Sequence, residues 1–149
     1  MGNKLFVKER SIQEQSIQKQ PVDKQPANKQ VVVVIGDRLG KGQNVAAGIE
    51  AAGGKAIVIP GMAADMKLGD VMHQEQADIG ISFCGSGGAG AITAQNKYGY
   101  SVRHGMRSIE EGETAIRESC TVLGFGFMDK AELGERLVRA FMKKRSETS

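Results

Sequence analysis

Disulfides, zinc knuckles and base-stacking surfaces all need residues that this chain largely lacks. Its two cysteines, Cys84 and Cys120, form no CxxC pair, so neither a disulfide scaffold nor a thiolate metal cage can be read from them. That usage fits a reducing cytoplasm. Tryptophan is absent and aromatics make up 5% of the residues, which leaves few platforms for bases or sugar rings. Twenty basic residues stand against 17 acidic ones for a formal charge of +3, and no block of Lys and Arg dominates the domain, so no nucleic-acid partner is expected. No apolar run approaches the ~20 residues of a membrane helix. The first residues lack a signal peptide's apolar core, and Phe6 stands where N-myristoylation needs Ser or Thr.

What is present divides the 149 residues in two. Residues 1–30 are rich in Gln and Lys, with "SIQEQ/SIQKQ" and a twice-used "KQP", and almost no large apolar side chains follow Val7. Such a segment cannot bury enough surface to offset its ordering entropy, and a disordered tether is expected. Residues 31–149 read as one α/β domain. "VVVVIGD" is a β-branched run suited to a strand buried on both faces, and "KAIVIPG", "ADIGISFC", "YSVRH" and "CTVLGFGF" supply four more. Between them, "QNVAAGIEAA", "AADMKLGDVMHQEQ", "AGAITAQNK" and "SIEEGETAIRES" carry helical spacing, and "DKAELGERLVRAFMKKR" closes the chain. Asp129 is placed to cap that last helix, and Lys143, Lys144 and Arg145 suit its C-terminal dipole. The alternation predicts a three-layer, Rossmann-like domain with a five-stranded, mostly parallel sheet and helices on both faces.

Ligands of such sheets sit at the carboxyl ends of the strands, and "CGSGG" follows one of them. Two familiar phosphate motifs fail. "GDRLGKGQ" is one residue short for a P-loop and has Gly42 where Ser or Thr should follow Lys41. Gly85, Gly87 and Gly90 satisfy G-x-G-x-x-G, but the next strand offers His104-Gly105 where an acidic ribose ligand belongs. The surviving reading is a concave set of backbone amides opening onto a helix N-terminus, which attracts an anion. The same field would favour the thiolate of Cys84. Cys120, with no such loop, reads as a small packing residue. No metal site and no cofactor are expected.

The string "SFCGSGGAGAITAQNKYGY", with "DRLGKGQ", "VIPGMAADMKLGD" and "TVLGFGFMDK" around it, resembles the glycine-rich SFCGS family of bacterial proteins over about residues 31–145. That resemblance implies genes beside predicted membrane proteins and enzymes of sugar-acid or amino-sugar breakdown. More distantly, Cys84-Gly85-Ser86-Gly87, Asn96-Lys97 and Asp37-Arg38-Leu39-Gly40 are similar to the ribose-5-phosphate isomerase B and galactose-6-phosphate isomerase family, with one extra residue in the loop. The resemblance implies Cys84 as the base that moves a proton between adjacent carbons and Ser86 as its helper. Amides at Gly85, Gly87 and Gly88 would hold the enediolate oxygen. Asp37, Arg38 and Asn96 fall at matching positions, although Arg38 replaces a histidine. The arginine of the fifth strand is replaced by Phe127-Met128. His104 could stand in for a second histidine, and Arg103 and Arg107 for the missing anion clamp.

Three readings remain open at this point. One is an isomerase acting on a small anionic metabolite of the sugar-phosphate kind, as a homodimer. Another is a IIB-like component working with membrane transporter subunits, against which stands the position of Cys84 after the third strand rather than the first. The third is a binding or sensor subunit without chemistry.

Overall fold

The computed structural model describes residues 29–37, 42–60, 65–83, 89–126 and 128–148. All of the expected tether except Lys29 and Gln30 lies outside them. The elements run β1 (Val32–Asp37), α1 (Gln43–Ala51), β2 (Lys55–Ile59), a 3-10 turn (Asp65–Lys67) leading into α2 (Leu68–Glu75), β3 (Ile79–Phe83), α3 (Ala89–Tyr98), β4 (Val102–Met106), α4 (Ile109–Arg117), β5 (Val122–Phe125) and α5 (Ala131–Thr148). The strands form one sheet in the order β2-β1-β3-β5-β4, and every pairing is parallel.

The burial pattern explains the sequence of the central strands. Val33 and Ile35 of β1, Ile79, Ile81 and Phe83 of β3, and Leu123 and Phe125 of β5 share one core with Val45, Ile49, Ile116, Leu133, Leu137 and Val138 of α1, α4 and α5. The alternate residues Val34 and Val122 join Ile59, Leu68, Met72, Ala91 and Ala94 on the other face, under α2 and α3. Both faces are therefore covered, which is why β1 is an unbroken β-branched run. Each such aliphatic contributes about 1.5–3 kcal/mol when taken out of water.

α1 and α5 approach closely because both carry glycine at the contact. A methyl group at Gly48 would overlap the Ala131 carbonyl, and one at Gly134 the Val45 carbonyl. α1 ends where the sequence said it would, with Gly53 at a φ of 92° just past the last turn.

Two local expectations are corrected. "AADMKLGDVMHQEQ" does not form one helix: its described part is a 3-10 turn followed by the eight residues of α2. Asp129 does not cap α5; its carboxylate accepts from the Val45 backbone N–H at 2.9 Å and from Asn44 Nδ2 at 3.3 Å, so it caps α1 across the domain. β4 takes in His104, as "YSVRH" implied, and runs on to Met106 past an irregularity between Arg103 and Met106 where Gly105 has a φ of 74°.

Candidate functional site

Register fixes where a site can form. Asp37 at the end of β1 pairs with Phe83 at the end of β3, and Phe83 pairs with Phe125 at the end of β5. Three neighbouring strands thus finish in line. The chain passes from β1 to β2 on one side and later returns to β3 on the other, so the crevice between the ends of β1 and β3 is the switch point of the sheet. Arg38 is the next residue after β1, and Cys84 the next after β3. Cys84, Gly85, Ser86, Gly87, Gly88 and Arg38 lie outside the described residues, as does the side chain of Asp37.

The described residues nearest that crevice give it a rigid floor. Phe83 and Phe125 lie with ring centroids 6.1 Å apart and are buried, which anchors the last residues of both strands on the α1/α4/α5 side. Ser82, on the opposite face, is fully buried, and its hydroxyl has no hydrogen-bond partner.

Helix N-termini also gather at this end of the sheet. In the first turn of α1 the Val45 amide already donates to the Asp129 carboxylate, which places a negative charge where a P-loop would seat its phosphate. α4 carries its own capping box: Ser108 Oγ accepts from Glu111 N at 3.2 Å, and Glu111 Oε2 accepts from Ser108 Oγ at 3.0 Å and Arg107 N at 3.2 Å. α3 begins directly after the glycine segment.

The other sequence-predicted residues are not brought together with β3. His104 is exposed on edge strand β4, with β5 between it and β3, a separation of roughly 10 Å at the usual strand spacing. Arg103, early in β4, is 2.5 Å from Glu118 just after α4. The Glu118 carboxylate, and after it Cys120, hold its guanidinium above the usual value. With Glu110, Glu111 and Thr114 it lines a surface cleft of about 290 Å³, on the β4/α4 flank and away from the switch point. Arg107 is exposed just past β4, and Asn96 is exposed on α3, about 10 Å along the helix from its first residue. Cys120 is half-buried against the main core.

A second polar cluster that sequence reading missed joins α2 to α3. Asp70 accepts from Lys97 Nζ at 2.8 Å and from Tyr98 OH at 2.6 Å, while His73 stacks on Tyr98 with centroids 4.7 Å apart. These two bonds, Lys97's first, hold the Asp70 carboxyl below its ordinary value. The bond to Asp70 and then burial raise the Tyr98 phenol.

The family model of the glycine-rich SFCGS proteins matches residues 31–144. The chain belongs to the glycine-rich SFCGS family. No curated protein sequence matches it. Solved structures do resemble it. The type B ribose 5-phosphate isomerase of Trypanosoma brucei is 16% identical over 77% of this chain and 87% of its own, with a TM-score of 0.60. The ribose-5-phosphate isomerase B of Mycoplasma genitalium, solved with bound ribulose-5-phosphate, is 14% identical over 77% and 84%, with a TM-score of 0.58. The Clostridium thermocellum enzyme is 19% identical over 76% and 84%, with a TM-score of 0.55. At these identities the likeness is one of fold, and the SFCGS chain has the fold of a sugar-phosphate isomerase. No helix among the described residues is long and apolar enough to cross a membrane.

Proposed function

We propose that this SFCGS protein binds a small anionic metabolite of the sugar-phosphate class at the carboxyl ends of β1, β3 and β5, and interconverts its aldose and ketose forms. The observation that carries the reading is the register ending β1 at Asp37 beside Phe83 of β3. The segments that open with Arg38 and with Cys84 therefore leave the sheet from adjoining strands, at its switch point. The shared fold supports the same reading, since one of those structures holds ribulose-5-phosphate.

In this reading the Cys84 thiolate takes the proton from the carbon beside the carbonyl of the open-chain sugar. The C–H electron pair becomes the C=C bond of an enediolate, and the carbonyl pair moves onto oxygen. Amides of Gly85, Gly87 and Gly88 and the N-terminus of α3 stabilise that oxygen, and the same field favours the thiolate. Cys84 returns the proton to the former carbonyl carbon. Ser86 passes the hydroxyl proton from one oxygen to the other, so atoms and electrons balance without a further reactant. Asp37 and Arg38 bind the sugar. His104, Arg107 and Asn96 enter only through a second copy of the chain, and the proposal includes a homodimer in the cytoplasm. Arg103, held by Glu118, has no part in it.

The test is turnover. Ribose 5-phosphate and a panel of pentose and hexose phosphates should yield the corresponding ketose with the wild type, at least 100-fold less with Cys84→Ser, and undiminished with Cys120→Ser. Absence of both turnover and binding across the panel would overturn the proposal. Light scattering that gives a monomer at micromolar concentration would overturn the dimer.

A further inference from the structure

Ser82 is the buried polar side chain of the domain among the described residues, at 0% exposure, and its Oγ has no hydrogen-bond partner. Its direction follows from the strand. Ile79, Ile81 and Phe83 face the α1/α4/α5 core, while Gly80 faces Met72 of α2, so Ser82 projects from the α2/α3 face. Its register partners there are Gly36 on β1 and Gly124 on β5, so neither neighbouring strand supplies a side chain beside the hydroxyl. Gly90 and Ala91, in the first turn of α3, are buried and small.

This combination is costly to the empty protein. A hydroxyl removed from water and left unanswered destabilises the fold, and alanine would serve the strand better. Ser82 lies one residue before the end of β3, beneath the crevice described above. Along the row Gly36–Ser82–Gly124 the two neighbouring strands present only backbone beside it.

We propose that Ser82 is a ligand-binding residue: when a sugar phosphate occupies the crevice, its hydroxyl donates a hydrogen bond to a ligand oxygen, unshielded by any side chain at Gly36 or Gly124. This rests on the functional reading above and adds to it a residue on the strand itself. The bond forms on binding, which gives the unanswered buried donor a function.

Calorimetric titration of the full chain with ribose 5-phosphate and with inorganic phosphate, beside ligand-free melting curves, tests the proposal on wild type, Ser82→Ala and Ser82→Cys. Ser82→Ala should melt at or above the wild-type temperature when empty, yet bind ribose 5-phosphate about tenfold more weakly. Ser82→Cys fills the same space with a poor donor and should show the same weakening. Equal losses for inorganic phosphate would assign the bond to a phosphate oxygen, and a loss confined to ribose 5-phosphate would assign it to a sugar oxygen. Variants that bind as tightly as wild type would overturn the proposal and leave the functional reading intact. So would an empty Ser82→Ala that melts several degrees lower and is rescued by Ser82→Cys, because the role would then be packing. A wild type that binds neither probe would overturn the functional reading and this proposal together.

Discussion

Single residues in this protein separate cleanly into those whose meaning is local and those whose meaning is tertiary. Cys84 could be singled out as a candidate from its neighbours in the chain, because a thiol ahead of a glycine-rich segment is a pattern written in the sequence. Ser82 could not: a serine in "IGISFC" is unremarked until its burial, its missing partner and the glycines beside it on two other strands are known. Its one sequence signal is a polar residue inside an otherwise apolar strand. The Asp70 cluster was equally hidden, since its partners Lys97 and Tyr98 belong to the next helix. That cluster makes a pH prediction. Tyr98 is raised above 10.0, so the folded state holds its proton more tightly. Its contribution to stability is present below pH 10.0 and is lost as pH rises through the folded value. Asp70 is shifted the other way, below 3.8, so its contribution is present above that value and is lost as pH falls through the folded one. With two tyrosines and no tryptophan in the chain, tyrosinate absorbance reports Tyr98 and Tyr100 alone. Asp70→Asn should bring one of the two titrations down toward 10.0 and leave the other, Tyr100, still raised by burial. Two unchanged titrations would remove Asp70 from the account.

Elements were the most legible scale, because periodicity of apolar side chains is written directly in the chain. Among the described residues, the five strands and five helices fall on the runs that the alternation marked, the second helical run being divided into a 3-10 turn and α2. The expectations that failed concern how elements answer one another. Asp129 precedes α5 in sequence and reads as its cap, yet the packing of α5 on α1 carries the carboxylate to Val45. Asp129→Ala should therefore cost about 1 kcal/mol, with the loss of amide-exchange protection centred on the first turn of α1. Loss confined to α5 would contradict this. The same packing makes two glycines unequal. Gly48→Ala drives a methyl into backbone, the Ala131 carbonyl, and should cost upwards of about 3 kcal/mol. Gly80→Ala meets the flexible end of Met72 and should cost about 1 kcal/mol. Denaturant melts that rank the two variants in the opposite order would show that the α1–α5 contact is looser than described.

At the scale of the whole molecule, the order β2-β1-β3-β5-β4 turns an alternation of strands and helices into a position for chemistry. The sequence alone could not give that order, because it depends on which strands pair across long crossovers. It is the order that ends β1 and β3, the strands that Arg38 and Cys84 follow in sequence, side by side and leaves His104 on an edge. The domain is expected to stand without its first 28 residues. Lys29 and Gln30, by contrast, are tied in through bonds from Arg145 to the Lys29 carbonyl at 2.8 Å and from Gln30 to the Gly53 carbonyl at 3.3 Å. A chain beginning at Lys29 should melt within a few degrees of the full one, and a large loss would show that the N-terminal segment packs on the domain. The account as a whole turns on whether the end of β3 is a reactive anion site, and the rate of iodoacetamide labelling at each cysteine measures that most directly. Cys84 should react below the ordinary thiol range of about 8.5 and far faster than half-buried Cys120, and ribose 5-phosphate should protect it. Equal, slow labelling of both thiols, unchanged by the sugar phosphate, would contradict the account.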